Sequence, residues 1–213
     1  MPADGAGRTP RVAWDAAIAG PWINSSMLHF LDNKKAGIVP PGSKTSMESD
    51  SFMAAMPLAA LQGCSDEQPG EDDALARVIF LVNAHEQNAS QLIFPALRLL
   101  RQVIRTGHSI DECLSQFTSN GDCPPPFCHA VSTARENVQR PHAEVSDEVG
   151  SACSNPASLI CALHAVLSLP VYTDAVRAIA LAGGCSCSRC VAKKNKPVTS
   201  SAVLAQLFAA VPS

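Results

Sequence analysis

The residues best suited to chemistry are cysteines. Cys185-x-Cys187-x-x-Cys190 places three thiols within six residues, directly after a Gly183-Gly184 pair. Thiolates at this spacing can converge on one zinc ion, which wants four ligands in a closed tetrahedral site. The fourth would come from Cys161, His164 or the Cys123, Cys128, His129 group. The bland reading of the same patch is a tight turn of small residues beside a core. Cys123-Pro124-Pro125-Pro126-Phe127-Cys128-His129 suits either a local disulfide or half a metal site. It lacks the CxxC spacing of a thioredoxin-like pair.

Other polar residues carry weaker signals. His85-Glu86-Gln87-Asn88 opens like a zinc-protease helix, but Ala89 stands where the second histidine belongs. Asn88 reads instead as a helix cap or turn residue. His164 lies inside an apolar helix and reads as a hydrogen-bonded interior histidine. Arg98, Arg101 and Arg105 read as the solvated face of a helix. No Ser/His/Asp set, dinucleotide fingerprint or Walker loop is present.

Composition bounds what these residues can serve. The chain has 213 residues, a length that suits one compact domain with a tail. Apolar residues make up 46% and charged ones 16%, with a formal charge of −3, so there is material for a core and no basic excess for nucleic acid. The longest apolar stretch, Leu159 to Leu169, is interrupted by His164 and Ser168 and is too short for a bilayer. MPADGAGRTPR has no basic segment followed by an apolar one, so a soluble cytoplasmic protein is expected. Nine cysteines, an odd number, disfavour a complete disulfide framework and suggest reduced core thiols.

The elements that would position these groups are helices. Aromatics are 5% of the chain, and no segment reads as a strand. Residues 50–62 form a short helix that Pro57 should kink. Glu71-Asp72-Asp73 open the next, with Leu75, Val78, Ile79 and Val82 on one stripe. The clearest helix carries Ile93, Leu97, Leu100 and Ile104, with Pro95 in its first turn and Gly107 at its end. A short helix around Ile110 to Phe117 follows. Asn155-Pro156 then opens a helix to Leu169, Pro170 breaks it, and a second helix from Thr173 or Asp174 runs to Gly183-Gly184. The last short helix carries Val203, Leu204, Leu207 and Phe208. The expectation is an all-α, helical bundle-like domain over residues 46–213. A poorly defined N-terminal segment (1–45) precedes it, and a mostly polar excursion at 119–154 interrupts it.

Asn155 to Arg189, NPASLICALHAVLSLPVYTDAVRAIALAGGCSCSR, resembles the C-terminal hallmark region of the ADP-ribosylglycohydrolase family, and most closely its crystallin J1 branch. The matching pieces are Pro156-Ala157, Ala162 to Leu167, Asp174 to Arg177, and Gly183-Gly184. Weaker matches are Met56-Pro57-Leu58-Ala59, Gln87-Asn88 before a long helix, and Lys34-Lys35-Ala36-Gly37. The resemblance covers residues 30–190 and is specific over the last part of that range.

The resemblance implies an all-α fold and hydrolysis of an ADP-ribosyl linkage with Mg²⁺, the partner being ADP-ribose or an ADP-ribosylated protein. In the family, carboxylates hold two metal ions that orient ribose hydroxyls and water. Here the family metal-loop positions are Cys185, Ser186, Cys187 and Ser188, where the enzymes carry Asp-Thr-Asp-Thr. Thiols are poor ligands for magnesium. The crystallin-like branch shows a similar Gly-Gly-Cys-x-Cys-Ser-Arg run. The family's N-terminal Gly-Asp-x-x-Gly and Thr-Asp-Asp segments have no counterpart, and Gly70-Glu71-Asp72-Asp73 falls in the wrong order to replace them. Three expectations follow. The chain is an ADP-ribosyl hydrolase of weak or lost activity on an incomplete version of the family fold. Alternatively, it is a non-catalytic structural or ADP-ribose-binding protein, with exposed apolar helix faces that invite oligomers. Or it is a zinc or thiol module at Cys185, Cys187 and Cys190.

Overall fold

The computed structural model describes residues 25–121, 123–150, 154–169 and 171–181. Every regular element among them is helical, and the fold class is all-α. The extended backbone contributes only isolated bridges, Ser43 to Asn83 and Glu48 to Ser154. The loop of Cys185, Ser186, Cys187, Ser188 and Cys190, and the expected helix around Val203 to Phe208, lie outside the described residues.

One group of helices packs around the long arginine-bearing element. Helix α1 spans Ser25–Lys35, α2 Asp50–Gly63 and α3 Glu71–Val82. A short turn, α4 (Glu86–Asn88), runs through a π-helical turn at Ala89–Ile93 into α5 (Phe94–Thr106). Pro95 sits in the first turn of α5, where its missing N–H costs nothing, and Gly107 closes the helix at φ 66°. Pro57 lies inside α2 without ending it. Helix α2 lies between α3 and α5. Gly63, at its C-terminal end, meets α5 so closely that a Cβ would stand 2.8 Å from the Ile104 side chain. The stripe of α3 turns Leu75 and Ile79 inward, as its spacing predicts.

A second group forms behind it. Helix α6 (Ile110–Ser119) starts with a complete capping box between Ser109 and Glu112. Helices α7 (Pro125–Glu136), α8 (His142–Val149), α9 (Ala157–Ser168) and α10 (Tyr172–Leu181) follow. Helix α9 is the hub. It is buried continuously from Ser158 to Ala165 and packs on α7, α8 and α10. Phe127, Leu114, Leu163, Leu92 and Phe52 join both groups in one apolar core.

Two expectations about order require correction. The supposed excursion at 119–154 holds α7 and α8. Phe127, Ala130, Val131 and Ala134 recur at helical spacing and are buried. The two alanines make that face look weak, yet small residues are what let α7 approach α9 closely. Pro124, Pro125 and Pro126 occupy the cap and first turn of α7, positions that tolerate proline. Likewise, the supposedly undefined segment 1–45 contains α1. That helix is tied down by polar bonds: Ser26 Oγ to Ser46 Oγ at 2.7 Å and His29 Nδ1 to Ser43 Oγ at 2.9 Å. Hydropathy patterning does not register such contacts.

Candidate functional site

The start of α9 is where the family-like segment meets the rest of the molecule. The Asn155-Pro156 peptide is cis. Asn155 does not cap the helix backbone but anchors a buried amide network. Its Oδ1 accepts from Ser158 Oγ at 2.7 Å and Ser49 Oγ at 3.1 Å, and its Nδ2 donates to Asn88 Oδ1 at 2.8 Å. Asn88 Nδ2 in turn donates to the Glu48 carbonyl at 2.9 Å, and Asn83 Nδ2 to the Ser46 carbonyl at 3.0 Å. The Asn155 backbone N–H reaches the Met47 carbonyl at 2.7 Å. Segment 46–49 is thereby stitched to α3, α4 and α9. Each amide donates and accepts, as burial requires. The network offers positioning: its members are neutral amides, hydroxyls and backbone carbonyls.

In the Glu86 segment, the cap is His85 rather than Asn88. Its Nδ1 accepts from the Asn88 N–H at 3.3 Å. The imidazole is thus occupied as a structural acceptor.

His164 is fully buried on α9, as its apolar neighbours imply. Its partner, His142 at the start of α8, was not legible beforehand. The two Nδ1 atoms lie 3.0 Å apart, and the rings stack with centroids at 5.2 Å. His164 Nε2 stands 2.9 Å from the Asn137 carbonyl and must donate to it. His164 Nδ1 is then the acceptor, so the proton between the rings belongs to His142 Nδ1. Burial, followed by the neighbouring His164, pushes the His142 pKa down to about 4. Burial also lowers that of His164. Both rings are neutral near pH 7, and both ring nitrogens of His164 are engaged, which leaves it no free lone pair for a metal.

The arginines overturn the solvated-face reading. Arg101 is 7% exposed. It bonds Asp72 at 2.6 Å and Gln62 Oε1 at 3.3 Å, and approaches Glu71 to 3.5 Å. Arg105 Nη2 bonds both Glu71 oxygens, at 3.0 and 3.1 Å, and the Gln62 carbonyl at 2.6 Å. These contacts, the Arg105 hydrogen bond first, hold the Glu71 carboxyl below its usual range against the opposing effect of burial. The acidic residues that open α3 therefore satisfy more than the helix dipole: they clamp α3 to α5. The missed signal was complementarity between an acidic first turn and an arginine row, which no single-helix pattern reports.

The described cysteines divide into two kinds. Cys123 and Cys128 form a disulfide, which selects one of the two readings of that motif and removes both as thiolate ligands. Cys64, Cys113 and Cys161 are free, the last two buried. Burial pushes the Cys161 and Cys113 thiols up. Of the suggested fourth zinc ligands, the disulfide and the histidine pair eliminate Cys123, Cys128 and His164. Cys161 and the exposed His129 remain. Among the described residues no group of three His, Cys, Asp or Glu side chains is placed to hold a metal. No helix among them is long and apolar enough to cross a membrane.

Comparison with known proteins found no matching protein family, no matching curated protein and no matching solved structure.

Proposed function

We propose that this chain is an ADP-ribosylglycohydrolase-like protein of the crystallin J1 type that binds ADP-ribose, free or protein-attached, without hydrolysing it efficiently. One observation supports the reading. Helix α9 begins directly after Asn155-Pro156, and α10, carrying Asp174 to Arg177, follows it and is described as far as Leu181. That is the pair of helices which the resemblance calls for. The donor chemistry argues for lost hydrolysis. Cys185 and Cys187 stand where the enzymes carry carboxylates, and soft sulfur does not suit a hard magnesium ion. The residues present therefore do not fit the dinuclear magnesium centre.

The test is a thermal melt with ADP-ribose, with and without Mg²⁺, paired with an assay for ADP-ribose released from ADP-ribosylated protein. A ligand that binds only the folded state raises the midpoint. The expected result is an upward shift independent of Mg²⁺, with no release. An unchanged midpoint refutes binding, and multiple-turnover release refutes the loss of hydrolysis.

A second reading rests on the soft donors themselves, with Cys185, Cys187 and Cys190 holding zinc and the reduced Cys161 of α9 available as a fourth ligand. It requires stoichiometric zinc in protein purified without added metal, and loss of that zinc in Cys187→Ser. Zinc-free protein, or a content that the substitution leaves unchanged, rejects it.

A further inference from the structure

Beside the α3–α5 clamp lies a cleft of about 280 Å³ between α5, the loop before α3 and the C-terminal end of α6. Three arginines of α5 line it: Arg98, Arg101 and Arg105. Within the cleft lining itself, Glu67 is the one acidic residue against these three cations. Glu71 and Asp72 are the carboxylates near them, and Asp72 is shared between Arg101 at 2.6 Å and Arg98 at 3.6 Å. The other acidic group, Glu67, is 80% exposed and only 4.0 Å from Arg105 at its nearest. Three cations thus face two close carboxylates and one loose one.

The donors are incompletely matched. Arg105 Nε is buried with no hydrogen-bond partner, an uncommon state for a charged group. Arg98 makes no ion pair among the described residues except the long one from Nε to Asp72. Its guanidinium carbon lies 5.7 Å from the Phe117 ring centroid and 5.9 Å from that of Phe94. A guanidinium resting against aromatic rings with its outer N–H groups unspent can engage a multidentate oxyanion. Phe117 also lines the cleft, and Asn120 adds an exposed amide at its mouth.

We propose that this cleft is a binding site for the phosphate group of a small aromatic phosphomonoester. The phosphate sits between Arg98 and Arg105, and the organic part lies along Phe117. Phosphate suits the arrangement better than carboxylate, because its three terminal oxygens can engage two guanidinium groups on different turns of α5. Glu67 is the rim group that an incoming anion must displace or repel. Glu71 stays bonded to Arg105 Nη2 and Asp72 to Arg101, so the phosphate meets Arg105 through Nη1, the nitrogen nearest Glu67.

The experiment titrates the full chain with phenyl phosphate and with inorganic phosphate at fixed ionic strength, using calorimetry and the arginine side-chain NMR signals. Phenyl phosphate should bind more tightly than inorganic phosphate and shift the Arg98 and Arg105 signals. Arg98→Ala should weaken it about tenfold, the scale of one lost charge-assisted contact. Glu67→Gln should tighten it about twofold to threefold by removing the competing charge. Arg98 is partly exposed and apart from the Arg101 clamp, so the variant should fold. Should it not, Arg98→Lys keeps the charge, loses the planar fork and should show the same weakening. Equal affinity in the wild-type protein and the folded Arg98 variant overturns the proposal. So does binding no stronger than that of matched chloride. The probe carries neither ribose nor adenine, so failure here and failure of ADP-ribose binding are separate results.

Discussion

Acid should destabilise this protein through the His142–His164 pair, and the size of the effect can be worked out. The unfolded imidazole titrates near 6.5, and folding lowers His142 to about 4. The folded state therefore binds fewer protons than the unfolded one between those values, and stability falls as pH falls through that window. It is fully present above about pH 6.5 and fully lost below about pH 4. The linkage relation gives a loss of about 2 kcal/mol between pH 7 and pH 5, and about 3 kcal/mol by pH 4. His164 shifts in the same direction and adds to the slope. Arg140, close enough to act on His164, pairs with Glu148 at 2.7 Å. The assay is urea unfolding, followed by circular dichroism, of wild type and His142→Gln at several pH values. The wild type should lose about 2 kcal/mol more than the variant between pH 7 and pH 5. Parallel pH profiles for the two proteins would refute the reasoning, because they would mean that His142 protonates as readily in the fold as outside it.

Other perturbations probe other parts of the framework. Gly63→Ala forces a Cβ to within 2.8 Å of Ile104 and 3.0 Å of the Arg101 carbonyl. It should cost about 1–3 kcal/mol in denaturant unfolding, the range for overpacking. Asn155→Ala strands the Asn88 Oδ1 acceptor and removes the acceptor that Ser49 and Ser158 share. It should lower stability by about 2–4 kcal/mol, on the scale of unmade buried hydrogen bonds, and a loss below 1 kcal/mol would show that water replaces the amide. Cys128→Ser frees the Cys123 thiol, so the denatured, unreduced variant should titrate one more thiol than wild type. An equal or lower count would mean that the pair is not oxidised.

The sequence made the periodic helices legible and left their polar pairings obscure. Helices α3, α5 and α9 were readable because Leu75 and Ile79, Leu97 and Leu100, and Leu159 and Leu163 repeat at helical spacing. Helix α7 was hidden because alanines carry half its buried face. Helix α1 was hidden because serine and histidine hydrogen bonds, not apolar area, hold it in place. The interior histidine was readable from its neighbours in sequence. His142 was not, because it lies 22 positions away and joins His164 only through the α8–α9 packing. The candidate metal-loop positions Cys185, Ser186, Cys187 and Ser188 follow α10 in sequence, outside the described residues, so their chemistry is argued from donor type alone.

The placement of polar groups explains how a chain with only 16% charged residues keeps a specific fold. An alanine- and leucine-rich core tolerates many packings of similar energy, and apolar burial alone does not choose among them. Here each helix group has its own polar lock. The α2–α3–α5 group is fixed by charge: Arg101 and Arg105 against Glu71 and Asp72. The α8–α9 contact is fixed by neutral imidazoles, and the junction between the two groups by asparagine amides. Burial opposes the charged state of the histidines, while Glu71 remains ionised because its counter-charges are built in. An acid step should thus loosen α8 from α9 before it disturbs the arginine clamp. Hydrogen exchange at pH 5 should show α8 amides losing protection ahead of those of α5, and uniform loss across both helices would mean that the two locks open as one.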